Sequence, residues 1–226
     1  MGIIEVKDVS YSYRSKYQTI EAVKNVSCSF DTGKLYAIIG PSGSGKTTLL
    51  SLIAGLDLPC EGEISIDGQL ITYLDRDRYR RETASVIYQS FNLFPLLTAL
   101  ENVMWPMELQ GKPRAKAADT AKHLLIEVGL GENILRQRPL MMSGGEQQRV
   151  AIARALAVGG RVLLADEPTG NLDTTNGNYI ANLLKTLAHE RNYAVIVITH
   201  NTEIAQLADV VYEMHDGELS YLNGDE

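Results

Sequence analysis

Apolar positions along the chain follow two different periods, and the change between them divides the sequence into segments. Residues 3–13 and 19–30 alternate between apolar and polar side chains, as half-buried strands do. Continuous apolar runs at 35–39 and 193–199 are typical of parallel strands that are buried on both faces. The pattern therefore predicts two strands at the amino-terminal end, joined by a polar turn at 14–18, and a buried parallel sheet built from both halves of the chain.

Between residues 90 and 158 the strand pattern disappears. Thr98 and Ser143 are capping residues that each precede a helical pattern, and Pro113 precedes a third, which ends at Gly129. Outside this segment we expect strands at 62–68, 84–88 and 161–166, helices at 75–82, 174–191 and 201–207, and a closing hairpin at 210–222. The chain is therefore predicted to be a single domain over 1–226, with a core formed by 1–89 and 159–226 and an inserted helical subdomain at about 90–158.

Composition excludes several classes of protein. Hydrophobic residues make up 45% of the 226 residues and charged residues 22%, which allows a substantial core. The net charge is -7 and the basic residues are scattered, so no nucleic acid is expected as a partner. Cys28 and Cys60 form no C-x-x-C pair, which fits a reducing cytoplasm. No signal peptide and no apolar run of about 18 residues is present, so a membrane role would need another, membrane-spanning chain.

The strongest chemical signal is a loop that fits the pattern G-x-x-x-x-G-K-[ST] between an apolar run and a helical run. We call residues 40–47 the glycine-rich loop; they are Gly40, Pro41, Ser42, Gly43, Ser44, Gly45, Lys46 and Thr47. The glycines allow main-chain N–H groups to approach phosphates, and the following helix directs its positive end at them. Lys46 supplies a point charge and the Thr47 hydroxyl is a ligand for Mg²⁺. A plain strand-to-helix connector would not need Lys-Thr at this position.

Two carboxylates stand at the end of the apolar strand at 161–166. Asp166 is placed to hold Mg²⁺, through water, and Glu167 is placed one residue further on to orient or deprotonate an attacking water molecule. An ordinary polar strand end before Pro168 is the alternative. Beside a phosphate-binding loop, the functional interpretation is favoured.

A second anion site is predicted at Ser143, Gly144, Gly145 and Glu146. Ser143 and Glu146 fit a capping box, but two consecutive glycines exceed what a cap requires. They expose N–H groups at the positive end of a helix. One triphosphate does not obviously need two such sites from one chain.

Three further residues are weighed by their positions. His200 and Gln89 each follow a predicted strand, where a side chain can reach a ligand at the sheet's carboxyl edge. Structural roles for both are the alternative. Tyr13 is the candidate for stacking on an adenine base, with Tyr11 and Tyr17 as competitors and packing on the sheet as the alternative.

Taken together, these residues resemble the ATP-binding cassette (ABC) family over essentially the whole chain. Residues 40–47 match its Walker A loop, Gln89 its Q-loop, 142–146 its signature segment, 162–167 its Walker B strand with catalytic glutamate, 171–173 its D-loop, His200 its switch histidine and Tyr13 its adenine-stacking aromatic. The resemblance implies an α/β fold: a P-loop NTPase core with a mixed sheet, an antiparallel β subdomain and an inserted helical subdomain. It implies ATP and Mg²⁺ as cofactors, ATP contacts that include Thr48, catalytic Glu167 and His200, a D-loop Asp173, and metal contacts at Thr47, Gln89 and Asp166.

The resemblance also accounts for the second anion site. In this family two cassettes dimerise head to tail, and each ATP lies between the Walker A loop of one and the signature of the other. A second copy or a related cassette is therefore expected as a partner. Met142 and Glu146 depart from the commonest Leu-Ser-Gly-Gly-Gln. We expect the Glu146 carboxylate to turn back onto its own backbone, which leaves Ser143 and the glycine N–H groups for the γ-phosphate.

Within the family, residues 91–103 and 166–173 resemble the lipoprotein-release and macrolide-export branch. This implies an ATPase at the cytoplasmic face of a membrane that energises export or extraction of a peptide, lipoprotein or drug through a permease on a separate chain. The non-transporting cell-division cassettes are the alternative. The apolar residues Phe91–Leu97, Leu100, Val103, Met104, Trp105 and Met107 either form a groove for a partner helix or pack internally.

Overall fold

The computed structural model describes residues 2–224, so the predicted domain ends at 1 and 226 lie outside the described residues. The strands are β1 (Ile4–Arg14), β2 (Thr19–Phe30), β3 (Leu35–Ile39), β4 (Glu61–Ile66), β5 (Gln69–Leu70), β6 (Ala84–Ile87), β7 (Val162–Asp166), β8 (Ala194–Ile198), β9 (Val210–His215) and β10 (Glu218–Gly224). The α-helices are α1 (Lys46–Ile53), α2 (Arg76–Glu82), α3 (Ala99–Leu109), α4 (Arg114–Glu127), α5 (Gly144–Leu156), α6 (Thr174–Arg191) and α7 (Thr202–Leu207). Apart from the short β5, the sequence pattern predicts each strand and helix within a few residues.

The first sheet is antiparallel and has the strand order β2-β1-β4-β5. Its strands alternate as the sequence predicts: Ile4 and Val6 are buried, and Glu5 between them is only partly covered. The turn at Asp67 and Gly68 joins β4 to β5, and both residues have positive φ. This sheet is the antiparallel β subdomain expected from the resemblance.

The second sheet is mixed, with the strand order β10-β9-β3-β8-β7-β6. Strands β9, β3, β8, β7 and β6 run parallel, and β10 is antiparallel to β9. Every residue of β8 is buried, which explains the continuous apolar run in the sequence. Because β3, β8 and β7 are adjacent and parallel, the segments that follow them meet at one edge of the sheet.

Residues 90–158 are helical, and the structure assigns them no strand. Helix α3 begins with a capping box in which the Glu101 carboxylate accepts from Thr98 N at 2.9 Å. Val103, Met104 and Met107 on α3 are buried in the same apolar cluster as the helix-facing residues of the second sheet, so for these three internal packing is the correct alternative. That this segment is a separate subdomain stays a prediction.

Within residues 2–224, no helix has both the length and the apolarity that crossing a membrane requires.

Candidate functional site

A cleft of about 830 Å³ opens at the edge of the second sheet where β3, β7 and β8 end. The predicted site residues that line it are Tyr13, Ser42, Gly43, Gly45, Lys46, Thr47, Thr48, Gln89, Asp166, Glu167 and His200. Sequence analysis missed a second group of lining residues, namely Ile20, Glu21, Ala22, Lys24, Asp216 and Gly217. These come from β2 and from the turn between β9 and β10, whose approach to the glycine-rich loop no local pattern encodes.

The glycine-rich loop is packed so tightly that its glycines are required. Gly40 has φ 148°, and a Cβ there would lie 2.1 Å from the main-chain oxygen of Met214. Gly45 has φ 106°, and a Cβ would lie 2.1 Å from the oxygen of Ala22. The main-chain oxygen of Ser44 also accepts a hydrogen bond from Gly217 N at 2.9 Å. Strand β2 and the β9–β10 hairpin therefore fix the shape of the loop from behind.

Lys46 lies inside the loop and is buried. Its Nζ donates to the main-chain oxygens of Gly40 at 2.9 Å and Pro41 at 2.8 Å. Burial lowers the pKa of Lys46, and the nearby charges of Glu167 and Asp166 oppose that shift. The ammonium group is thus held by two neutral carbonyl oxygens. An anionic phosphate oxygen in their place would form a stronger, charge-assisted hydrogen bond with it.

The amino-terminal end of α1 has the features of an anion site. Its capping residue, Gly45, supplies no side-chain cap, and the first turn contains no acidic residue. The main-chain N–H groups at this end are therefore open to a ligand, and the helix dipole favours a negative one.

The Asp166 carboxylate and the Thr47 hydroxyl line the cleft within hydrogen-bond distance of each other. Burial, followed by the negative charge of Glu167, raises the pKa of Asp166. The hydrogen bond from the Thr47 hydroxyl and the charge of Lys46 act against that rise. A hydroxyl and a crowded carboxylate next to a phosphate-binding loop fit the oxygen ligands of Mg²⁺, whose charge would relieve the repulsion between the carboxylates.

The Glu167 side chain is held by the chain segment that follows β8. Its Oε1 lies 2.9 Å from His200 Nδ1, and its Oε2 accepts from Thr199 Oγ1 at 3.2 Å and from His200 N at 3.4 Å. Its main-chain φ is 47°, a left-handed conformation that is unfavourable for glutamate. The predicted catalytic pair, Glu167 and His200, is therefore brought into direct contact.

Tyr13 lies beside the start of α1, where its hydroxyl is 3.1 Å from Thr48 Oγ1. The ring is 47% exposed, and the Tyr11 ring meets it edge-on at 5.1 Å between centroids. Within residues 2–224, neither Tyr11 nor Tyr17 lines the cleft. The position of Tyr13 therefore favours it over both competitors as the stacking surface for a base.

Gln89 lines the cleft and connects to the segment before α6. Its main-chain oxygen accepts from Asn171 Nδ2 at 2.9 Å. A Cβ at Gly170 would come within 2.8 Å of Gln89 Nε2, so the glutamine side chain packs closely against this glycine. The segment that carries Gln89 is thus coupled to the chain that leads into α6.

The predicted signature residues lie apart from the cleft, at the start of α5. Ser143 and Glu146 form a capping box: Glu146 Oε2 accepts from Ser143 N and from Ser143 Oγ, both at 2.8 Å. These hydrogen bonds lower the pKa of Glu146. The carboxylate turns back onto its own helix terminus, as predicted. At Gly145 a Cβ would lie 2.4 Å from Asn176 Oδ1, so this glycine allows α5 to approach α6.

Asp173 caps the next helix. Its carboxylate accepts from Asn176 N at 3.0 Å, and the hydrogen bonds to Asn176 lower the pKa of Asp173. Because Asn176 also contacts the start of α5, the predicted D-loop and signature residues form one connected surface. None of these D-loop and signature residues lines the cleft, so this surface and the cleft are separate features of the chain.

Comparison with known proteins agrees with this architecture. The chain matches the ABC transporter family over residues 23–170. YclH of Bacillus subtilis (strain 168), an ABC transporter ATP-binding protein, is 39% identical over 220 residues, which cover 97% of this chain and 96% of YclH. The macrolide export ATP-binding/permease protein MacB 2 of Yersinia pestis bv. Antiqua (strain Antiqua) is 41% identical over 96% of this chain and 32% of its own length.

Two solved structures of MJ0796 from Methanocaldococcus jannaschii have TM-scores of 0.89 to this chain. One, a dimeric bacterial ABC transporter cassette, is 39% identical and covers 98% of this chain and 100% of its own. The other, 38% identical, is a dimeric post-hydrolysis state bound to ADP and Pi. The chain therefore belongs to the ABC transporter family and is an ATPase of that family. The macrolide exporters among its relatives confirm the predicted branch.

Proposed function

We propose that this chain is the ATP-binding and ATP-hydrolysing subunit of a membrane transporter and that it dimerises around ATP. The observation that carries the proposal is the cleft in which the glycine-rich loop faces Asp166, Glu167 and His200. Such a cleft joins a cradle for phosphates to groups able to act on a water molecule beside them.

ATP binding follows from the loop and its surroundings. The N–H groups of the glycine-rich loop and of the start of α1 surround the phosphates, and Lys46 Nζ moves from the Gly40 and Pro41 oxygens to the outer phosphate oxygens. The adenine ring stacks on Tyr13, with Thr48 at its edge. The contacts of the glycine-rich loop with β2 and with the β9–β10 hairpin support this role, because they hold the loop in its phosphate-binding shape before ATP binds.

Hydrolysis is assigned to Glu167 and His200. Mg²⁺ would be held by Thr47, by Gln89 and, through water, by Asp166, and it would neutralise charge on the phosphates. The oxygen of a water molecule bonds to the γ-phosphorus while the bond to the bridging oxygen breaks, and ADP leaves with that electron pair. The proton of the water passes to the Glu167 carboxylate. The contact between Glu167 and His200 supports a joint role.

A second cassette completes each site. Ser143, Gly144, Gly145 and Glu146 do not line this chain's own cleft. The N–H groups of Ser143 and Glu146 are used in the capping box, which leaves those of Gly144 and Gly145 at the positive end of α5. We assign these groups to the γ-phosphate of ATP bound by the other cassette, a second copy or a related chain, with Asp173 beside them. The dimeric structures of MJ0796 support this arrangement.

An exposed apolar patch is the proposed contact with the permease. It consists of Phe94, Leu96 and Trp105, which are 42%, 78% and 41% exposed. The rings of Phe94 and Trp105 pack at 5.5 Å between centroids, so the patch is continuous across the loop before α3 and the helix itself. A surface of this kind suits the apolar face of an amphipathic helix from a membrane protein.

Asn102 keeps this patch in shape from below. It is completely buried, and its Oδ1 accepts from Phe94 N at 2.8 Å. Its Nδ2 donates to the oxygens of Phe94, Leu97 and Thr98 at 3.0 to 3.2 Å. One buried side chain thus fixes the loop so that Phe94 and Leu96 point outward, which lowers the entropic cost of docking.

The proposed partner is an integral permease on a separate chain, which would place this subunit at the cytoplasmic face of the membrane. YclH, which this chain matches over nearly its whole length, is named for ATP binding alone. MacB 2, which the chain matches over 32% of its length, is named for both ATP binding and permease. The macrolide-export relatives support export of a drug, and extraction or export of a peptide or lipoprotein rests on the sequence resemblance alone.

The test is purification of the full chain with its partners from mild-detergent extracts of the native cells. We expect an integral membrane protein to co-purify, and its membrane topology separates a transporter from a signalling complex of the cell-division kind. The double variant Phe94→Ser with Leu96→Ser should lose this protein. Tyr17→Ser, which changes an aromatic residue that is 90% exposed on the β1–β2 turn, should retain it. Equal retention by both variants would contradict the docking assignment.

A further inference from the structure

Thr199 is a buried residue that the sequence did not single out. It follows β8 directly, is completely buried and donates from Oγ1 to Glu167 Oε2 over 3.2 Å. A buried hydroxyl needs hydrogen-bond partners, and here one of them is the proposed general base.

The direction of this hydrogen bond follows from the two partners of the hydroxyl taken together. The main-chain N–H of Asn201 donates to Thr199 Oγ1 at 2.9 Å. An amide N–H can only donate, so Thr199 uses an oxygen lone pair in that contact. A carboxylate can only accept, so the proton of the hydroxyl is directed to Glu167. Asn201 in turn caps α7, with its Oδ1 accepting from Glu203 N at 2.8 Å, which holds the amide in place.

The side chains of Thr199 and His200 hold different oxygens of the same carboxylate, and the main-chain N–H of His200 also donates to Oε2, at 3.4 Å. His200 Nδ1 contacts Oε1, and its side chain is 74% exposed. Thr199 contacts Oε2 from the buried side. The histidine side chain is exposed in the cleft that it lines, whereas Thr199 is enclosed at the end of β8.

The main chain of Glu167 is fastened to the same strand. Its N–H donates to Ile198 O at 2.9 Å. Together with the left-handed φ of 47°, this contact directs the side chain of Glu167 towards Thr199 and His200. Backbone and carboxylate are thus both held by residues 198–200.

We propose that Thr199 is a positioning residue for ATP hydrolysis: it holds Oε2 of Glu167 so that Oε1 is the oxygen that receives the proton from water. The inference rests on the proposed role of Glu167. A carboxylate held at one oxygen presents the other in a single orientation, which proton transfer to a base requires. Thr199 itself touches neither substrate nor water in this scheme.

The test compares Thr199→Val, which removes the hydroxyl at nearly constant volume, with Thr199→Ser, which keeps it. Single-turnover ATP hydrolysis and ATP affinity are measured with Mg²⁺ on the full chain. We expect Thr199→Val to slow hydrolysis roughly tenfold or more and to leave the ATP dissociation constant within about twofold. Thr199→Ser should stay within about threefold of the unchanged protein. A loss of less than about tenfold for Thr199→Val, relative to the unchanged protein, overturns the proposal.

Two controls make every outcome decisive. If Thr199→Val does not fold, Thr199→Ala and Thr199→Ser form a pair that differs only in the hydroxyl oxygen, and equal rates for this pair overturn the proposal. Combining Thr199→Val with Glu167→Gln should give no further loss beyond Glu167→Gln alone, because both act on one group. If Glu167→Gln alone leaves hydrolysis unchanged, the role of Glu167 is wrong, which is a different failure from a silent Thr199.

Discussion

Arg154 on α5 holds Asn92 through the Asn92 main-chain oxygen, which accepts from Nη1 at 2.6 Å. The same guanidinium donates from Nη2 to the oxygen of Phe91 at 3.0 Å. Phe91 and Asn92 have φ values of 59° and 49°, a conformation that costs roughly 1–2 kcal/mol for each residue with a Cβ. Burial lowers the pKa of Arg154, and the two carbonyl oxygens compensate its charge. Helix α5, which begins at the signature residues, is thereby bound to the segment that follows Gln89.

Replacing Arg154 by Met should destabilise the fold by about 2 kcal/mol, because it leaves two strained carbonyls without a charged donor. Urea unfolding measures this change. Arg114→Met is the matched control: Arg114 is 69% exposed and pairs with Glu108 on the surface, so its loss should cost less than about 1 kcal/mol. Equal costs for the two variants would show that the contacts of Arg154 carry no special weight.

Replacing Lys46 by Ala should weaken ATP binding roughly tenfold to a hundredfold, since a charged hydrogen-bond donor contributes about 1.5–3 kcal/mol. Isothermal titration with Mg²⁺ and ATP measures the affinity. Lys116→Ala on the exposed face of α4 removes the same charge away from the cleft and should bind normally. Unchanged affinity in Lys46→Ala would contradict the assignment of the glycine-rich loop.

Replacing Glu167 by Gln should preserve ATP binding and allow an ATP-bound dimer to accumulate, because the amide cannot accept the proton of water. Size-exclusion chromatography with light scattering, at several protein concentrations, measures the dimer. Glu213→Gln on the exposed side of β9 should hydrolyse ATP normally and show no such accumulation. Hydrolysis by Glu167→Gln at the normal rate would exclude Glu167 as the base.

Replacing Ser143 by Arg in the Glu167→Gln background should abolish the ATP-bound dimer and leave ATP binding by the monomer intact. The long side chain would occupy the surface at the start of α5 that is assigned to the other cassette's γ-phosphate. Ser220→Arg on the exposed β10 strand should still dimerise. If Ser143→Arg loses dimerisation and monomer binding together, this surface does not act across an interface.

The strands, the helices and the chemistry of the cleft could be predicted because local patterns encode them. The glycine-rich loop needs fixed spacing, and buried parallel strands need continuous apolar runs. The sequence could not decide whether Met104 and Met107 form a groove for a partner helix or pack inside the protein, because both roles require apolar side chains. Only the arrangement of α3 against its neighbours shows that these two are buried while Trp105 is 41% exposed.

Contacts between distant segments were beyond prediction from one sequence. Thr199 holds Glu167 across 32 positions, and Arg154 reaches Asn92 across 62. Neither threonine at a strand end nor arginine on a helix is unusual in itself. Their importance depends on strand order and on main-chain conformations that several distant elements determine together.

The bond from Gly217 to Ser44 and the close fit of Gly40 against Met214 have a consequence for biosynthesis. Residues made early obtain their final shape from residues made much later, since β3 also lies between β8 and β9. We therefore expect a nascent chain on the ribosome to complete its nucleotide pocket only after translation has passed residue 217. On this expectation, the order in which the amino acids are joined delays ATP capture until the polypeptide is nearly finished.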